Sequence, residues 1–257
     1  LATAAAISAA ILVWLASTGV ILWRVASADA VGLPAHRRSV VLSLPVMVVG
    51  LWGYTVTLGE GSVAGAYGAF LSAIAIWGWI ELAFLSGVVT GPSREPPPPG
   101  ARGPRRFLAA LATVAYRQVL VVVTLAALVH VGLGAANPFG LLTFALLVLA
   151  RVCAEVNFFL GVPRIHSDLL PGTLAHLDPH FRRARHSAFW VVSVAGLAAL
   201  TLAAAFQIPG SEPWAAAGWT LLATLTALAL LEHLLMVLRL PDDRVWRWFR
   251  PSVRPGA

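Results

Sequence analysis

The apolar positions of this chain gather into seven long runs, at residues 2–25, 40–58, 63–90, 107–134, 138–162, 188–208 and 213–238. A helix needs about 20 mostly apolar residues to cross a hydrocarbon layer, and each run is close to or above that length. None shows the strict apolar and polar alternation of a membrane strand. The runs therefore predict helices, which satisfy their own backbone groups inside lipid. The expected fold is all-α: a polytopic membrane bundle of seven transmembrane helices. The first run lacks a basic start and the sequence does not open on Met, so the chain is expected to be trimmed at that end. With Trp14 and Trp23, the length of that run suits a retained span better than a cleaved signal. No internal repeat points to an inverted-repeat transporter.

The connections differ in character. Residues 91–106 include Pro96, Pro97, Pro98 and Pro99 and predict a stiff extended loop. In 163–187, Ile165, Leu169, Leu170, Leu174, Leu177 and Phe181 recur at helical spacing, ahead of Arg182, Arg183 and Arg185. That pattern predicts one or two short amphipathic helices on the membrane surface, broken near Pro171 and Pro179. Residues 241–257 interleave Trp246, Trp248 and Phe249 with Arg, which suits the headgroup zone. The organisation expected is a seven-helix domain over 1–240 and a basic, aromatic tail over 241–257. Gly61, Gly65, Gly68 and Ser72 give the third helix a small face for close packing. Asn137 and Pro138 mark a tight turn between the fourth and fifth.

Composition sharpens this picture. Hydrophobic residues make up 59% of the chain and charged residues 11%, against about 25% charged in soluble proteins. Mean hydropathy is +0.82. A soluble globular enzyme and a disordered chain are both excluded. The net charge of +7 would suggest nucleic acid in a soluble protein. Here all 18 basic residues are Arg, and 16 of them lie on alternate connections. Arg24, Arg37 and Arg38 flank the first. Arg94, Arg102, Arg105 and Arg106 lie in the third, and Arg164, Arg182, Arg183 and Arg185 in the fifth. Arg239, Arg244, Arg247, Arg250 and Arg254 lie in the tail. The opposite connections carry Glu60 and Glu212 and no Arg. By the positive-inside rule the N-terminus is expected outside and the C-terminus in the cytoplasm. Membrane lipid is thus an expected partner and nucleic acid is not. The single Cys153 cannot form an internal disulfide.

The candidate chemistry lies in polar residues within the spans. Glu81 is in the third, Arg117 and Gln118 in the fourth, Arg151, Glu155 and Asn157 in the fifth, Glu232 and His233 in the seventh. Each lies roughly 8–16 Å from the arginine-rich end of its helix, at 1.5 Å per residue. Four helices therefore place polar groups in one layer, where each charge costs roughly 2.5–3.5 kcal/mol to insert. Three carboxylates against two guanidinium groups fit a buried ion-pair network. The same residues are also the natural place for a ligand or proton site. For a metal, only Glu81, Glu155, Glu232 and His233 are suitable, and two neighbouring Arg repel a cation. No metal site is expected. His130 and His233 each follow an Ala by four residues, Ala126 and Ala229. That spacing leaves room for a flat macrocycle ligated by imidazole, although the sequence is rich in Ala and an ordinary hydrogen-bonded His is the preferred reading. His166, His176, His180 and His186 in the fifth connection read as solvated interfacial residues. No phosphate-binding glycine loop, Ser/His/Asp arrangement or Cys/His cluster is present, and no catalytic residue is assigned.

Several segments in register carry a resemblance. They are Ser17-Thr18-Gly19, Val63-Ala64-Gly65-Ala66-Tyr67 and Trp77-Gly78-Trp79-Ile80-Glu81. There follow Phe84-Leu85-Ser86-Gly87-Val88-Val89-Thr90-Gly91-Pro92 and Asn157-Phe158-Phe159-Leu160-Gly161-Val162-Pro163, then Leu170-Pro171. Leu231-Glu232-His233, Leu240-Pro241-Asp242 and Val245-Trp246-Arg247-Trp248 complete the series. In order and spacing the chain resembles, as a divergent member, the photosynthetic complex assembly proteins of the PuhE type from anoxygenic phototrophic bacteria. The resemblance implies a non-enzymatic, multi-pass protein of the bacterial inner (intracytoplasmic) membrane. Its implied partners are reaction-centre and light-harvesting subunits, with bacteriochlorophyll as the candidate cofactor. A stable accessory subunit of the reaction-centre/light-harvesting 1 complex is the alternative, touching pigment through His130 or His233. A membrane enzyme or transporter using the polar layer is a third. The chain departs from the family pattern where Tyr116-Arg117-Gln118 stands for Tyr-His-Glu and Glu155-Val156-Asn157 for Lys-Leu-Asn. His176 and His180 stand where the family tends to have Tyr. The helix exchanges move charge within one layer, as a compensated network allows.

Overall fold

In a computed structural model the description covers residues 2–165 and 170–238. Leu1, His166, Leu169 and the tail 241–257, with Trp246, Trp248 and Phe249, lie outside the described residues. The described chain is all-helical, without strands. Its helices are α1 (Ala2–Asp29), α2 (Leu33–Leu42), α3 (Leu44–Thr57), α4 (Val63–Leu85), α5 (Gly103–Gly132), α6 (Phe139–Leu160), α7 (Ala188–Phe206) and α8 (Pro213–Leu235). Counting α2 and α3 as one span, Leu33–Thr57, seven helices are long and apolar enough to cross a membrane.

Two boundaries differ from the sequence pattern for local reasons. The second span starts at Leu33, not residue 40, because Gly32 takes a positive φ of 103° and Pro34 opens the helix. The polar stretch His36-Arg37-Arg38 hides that start from hydropathy. Within the span, Ser43 separates α2 from α3, with Pro45 near the start of α3. Proline offers no N–H to the preceding turn and clashes with the carbonyl four residues earlier. The third run ends at Leu85, short of residue 90, and Gly87 takes a φ of 68° just beyond it.

α4 is the centre of the bundle and touches α1, α3, α5, α6 and α8. It buries Ala66, Ala69, Phe70, Ala73, Ile76 and Ile80, among others. α3 lies close against it, since a Cβ on Gly53 would sit 2.4 Å from Ser72 Oγ. The small face of α4 thus receives α3 by close backbone approach. At the end remote from most arginines, the Asn137 side chain ties two turns together. Asn137 N donates to Leu58 O at 2.9 Å and its Nδ2 to Glu60 O at 3.3 Å. There Phe139 packs edge-on to Trp214 and Trp219, with ring centroids 5.9 and 5.4 Å apart.

Among its described residues, the connection from α6 to α7 is not a surface amphipathic helix. After Pro171 it forms a single 3-10 run, Gly172–His180, that takes Pro179 in its stride. Leu174 and Leu177 are buried against Phe84 at the end of α4. The apolar spacing seen in the sequence therefore serves the bundle end, not lipid. Pro171 and Pro179 disfavour the regular α-helix that could have lain flat on a membrane.

Candidate functional site: an ion-paired layer beside a cavity

The loop leaving α4 positions the central side chain of the site. Residues 86–93 run along α5, where Arg117 N donates to Thr90 O at 3.0 Å and Ser93 N to Ala112 O at 3.3 Å. Only glycine fits at 91, because a Cβ there would stand 2.1 Å from Ala112 O. This contact fixes α5 at the height where Arg117 meets α4 and α6. The α6 end is anchored in a comparable way. Gly161, at φ 129°, closes the helix. Beyond it Val162 pairs with Arg183 in a lone bridge.

Arg117 is 1% exposed and is the hub of the layer. It donates to Glu81 Oε1 at 2.6 Å and to Glu155 Oε1 at 2.5 Å. Arg151 completes the set, 3.3 Å from Glu81 Oε2 and 3.1 Å from Glu155 Oε1. Gln118 Nε2 donates to Glu155 Oε2 at 2.5 Å. Two carboxylates thus face two guanidinium groups, and each carboxylate oxygen receives at least one donor. Such charge-assisted bonds are short and strong. The Arg117 Nε has no hydrogen-bond partner. Instead the guanidinium lies 4.8 Å from the Phe84 ring centre and 5.8 Å from that of Trp77. Aromatic faces attract a desolvated cation.

The sequence-based layer divides in three dimensions. Glu81, Arg117, Gln118, Arg151 and Glu155 converge. Asn157 does not join them. It is two residues from Glu155, hence on another helix face, and its Nδ2 donates to Ser193 Oγ on α7 at 3.2 Å. His233 is also apart. Its Nδ1 lies 2.8 Å from Ala229 O, and its own carbonyl accepts Trp190 Nε1 at 2.8 Å. Glu232 makes no hydrogen bond or ion pair among the described residues, although it lies within reach of the Arg151 and Glu81 charges.

A macrocyclic pigment needs an imidazole nitrogen with open space before it. His233 Nε2 is unpartnered, but it is enclosed by the protein, so no flat group fits against it. The Ala229 spacing provides a carbonyl acceptor there, not a gap. His130 and Ala126 are both exposed on the outside of α5. Among the described residues no three His, Cys, Asp or Glu converge in a way that could hold a metal ion.

Of the described histidines of the α6–α7 connection, His180 and, in part, His176 depart from the solvated reading, whereas His186 agrees with it. His180 is 3% exposed and its Nε2 lies 3.1 Å from Glu95 O. His176 is half-buried, and burial, followed by the Arg94 charge, lowers its pKa from the ordinary value. His186 is exposed and stacks near Trp190. One functional contact escaped the sequence altogether. Arg106 donates to Phe159 O at 2.9 Å and to His180 O at 2.8 Å, tying α5 to α6 and to the 3-10 run. Its only sequence signal is a position inside the first turn of α5, which the loop-charge pattern absorbs.

Beside the layer lies a cavity of about 680 Å³, between α5, α6, α8 and the α6–α7 connection. Gln118, Arg151, Glu155 and Glu232 form one polar edge, and Phe84, Leu111, Val156, Leu174 and Met236 contribute to an otherwise mostly apolar wall. The volume falls in the range of small-molecule sites, about 300–1,000 Å³.

Comparisons with known proteins bear on the whole chain. A family model described as "Protein of unknown function (DUF3623)" matches residues 1–256. A relative from Rhodobacter capsulatus, described as "Uncharacterized 30.4 kDa protein in puhA 5'region", is 48% identical over 255 residues. The match covers 96% of this chain and 90% of the relative. No solved structure matches.

Proposed function

This chain belongs to the family described as Protein of unknown function (DUF3623), and we propose that it acts in assembly of the bacterial photosynthetic reaction-centre/light-harvesting complex. The carrying observation is the relative in the puhA 5' region, 48% identical along nearly the whole chain. That position supports a photosynthesis-related role and agrees with the PuhE-type resemblance of the motifs. The geometry is compatible with a scaffold. Intramembrane charges are satisfied by one another across α4, α5 and α6, which leaves a rigid bundle with a broad apolar flank. The implied partners are reaction-centre and light-harvesting subunits within the inner (intracytoplasmic) membrane. The arginine distribution supports an orientation with the C-terminus in the cytoplasm and the N-terminus outside. No bond-making step is assigned to the chain.

A second reading, a stable accessory subunit, is favoured by one observation: His130 and Ala126 stand exposed together on α5. In that arrangement His130 would face bacteriochlorophyll held in a neighbouring subunit.

Deletion of the gene in a phototrophic host tests both. For an assembly role, the assembled complex falls several-fold by near-infrared absorbance, while complex purified from wild type lacks the protein. Stoichiometric co-purification selects the accessory-subunit reading. Unchanged complex levels, with the protein absent from the complex, contradict both. Reporter fusions at each terminus check the orientation.

A further inference from the structure

We infer that the cavity beside the ion-paired layer binds an amphiphile with a long apolar body and a non-anionic head that donates a hydrogen bond, held by Glu232. The polar edge of the cavity is nearly saturated by internal contacts. Glu155 already receives Arg117, Arg151 and Gln118. Arg151 is engaged by Glu81 and Glu155. Gln118 spends its amide donor on Glu155. Arg164, which also lines the cavity, donates to Leu238 O. Glu232 on this edge feels the Arg151 charge but makes no hydrogen bond or ion pair among the described residues, although it lines the same cavity.

A carboxylate in such a place calls for a donor. Glu232 is exposed, not enclosed by the protein, and acids at membrane depth are ordinarily paired. An alcohol or amine supplies the donor, whereas a phosphate or carboxylate head would meet the Glu232 charge with its own. The remaining wall is apolar, through Leu111, Val114, Val156, Leu174, Leu235 and Met236. It suits a hydrocarbon chain, whose burial is favourable by about 0.8 kcal/mol per CH₂ relative to water. A small polar ligand would leave that wall unfilled. The site is independent of the assembly role, since it rests on the cavity alone.

The test uses the full chain in nanodiscs and a straight-chain fatty alcohol carrying a diazirine. Irradiation is expected to give saturable labelling at cavity residues such as Val156, Leu174 or Met236, mapped by mass spectrometry. The unlabelled alcohol and a long-chain amine should compete, and the matching fatty acid should compete at least tenfold less well. Glu232→Leu should raise the half-saturating probe concentration about tenfold, as loss of a hydrogen bond to a charged group implies. Glu232→Gln, which keeps an acceptor, should raise it less. Ala154→Trp, which fills the cavity, should abolish the labelling. Competition by an isoprenoid alcohol or by a monoacylglycerol distinguishes a free alcohol from a glycerolipid as the source. Labelling of wild type spread over outward residues such as Leu12 and Trp52 overturns the site, and that result needs no variant to fold. Equal competition by the fatty acid, or no competition by any alcohol or amine, overturns the head-group assignment.

Discussion

The two ends of the bundle hold their helices by different physics. At the arginine-rich end, α4, α5 and α6 are joined by Glu81, Arg117, Arg151 and Glu155, with a cavity alongside. At the other end α3, α5, α6 and α8 meet by direct approach. A Cβ on Gly218 would lie 2.2 Å from Phe139, and one on Gly140 2.9 Å from Tyr54. Tyr54 Oη then donates to Leu128 O at 2.6 Å across the contact. Apolar packing suffices where backbones can approach closely. Where a loop crosses α5 and a cavity keeps the helices apart, long polar side chains bridge the space. Lipid gives little hydrophobic drive for helices to associate, so either contact must come from packing or from polar bonds.

This contrast predicts a graded response to mutation. The largest effect belongs to Arg117→Leu, which leaves buried Glu81 and half-buried Glu155 with too few donors. The expected loss is about 3–5 kcal/mol in detergent unfolding followed by tryptophan fluorescence. The double variant Arg117→Met, Glu155→Met leaves Glu81 paired with Arg151 and should regain most of that loss. A double variant no better than the single would deny that charge balance governs this end. Next comes Gly218→Ala, where overpacking against Phe139 should lower stability by about 1–3 kcal/mol. An unaffected melting curve would show that α6 and α8 are not held there by close approach. Tyr54→Phe removes one buried hydrogen bond and should cost about 1 kcal/mol in the same assay. The smallest change is expected from Arg151→Gln. Arg151 is 31% exposed, and Arg117 still serves both carboxylates, so the loss should be about 1 kcal/mol or less. If Arg151→Gln matched Arg117→Leu, the hub would have been placed on the wrong guanidinium.

Much of the layer was legible in sequence because helix geometry converts residue number into depth. Glu81, Arg117, Arg151 and Glu155 lie at matching heights whatever the helix rotations. Rotation is not visible in the same way. Asn157 and His233 share that height but point to α7 and into the core, toward Ser193 and the Ala229 carbonyl. The 3-10 run teaches a similar lesson. Leu174 and Leu177 have the spacing of a surface helix, yet their apolar face finds Phe84 at the bundle end. An apolar stripe states that it will be covered, not by what.

The sequence by itself determined the number of spans, their approximate ends, the asymmetry of the arginines and the existence of a polar layer. These depend on transfer free energy and on 1.5 Å per residue, both local properties. The tertiary structure alone decided which charges meet and why Arg117 is the hub. It also decided that Glu232 is left facing a cavity and that Gly91 must be glycine. Those outcomes depend on helix rotation and on where one backbone crosses another, and such contacts join residues far apart in the chain.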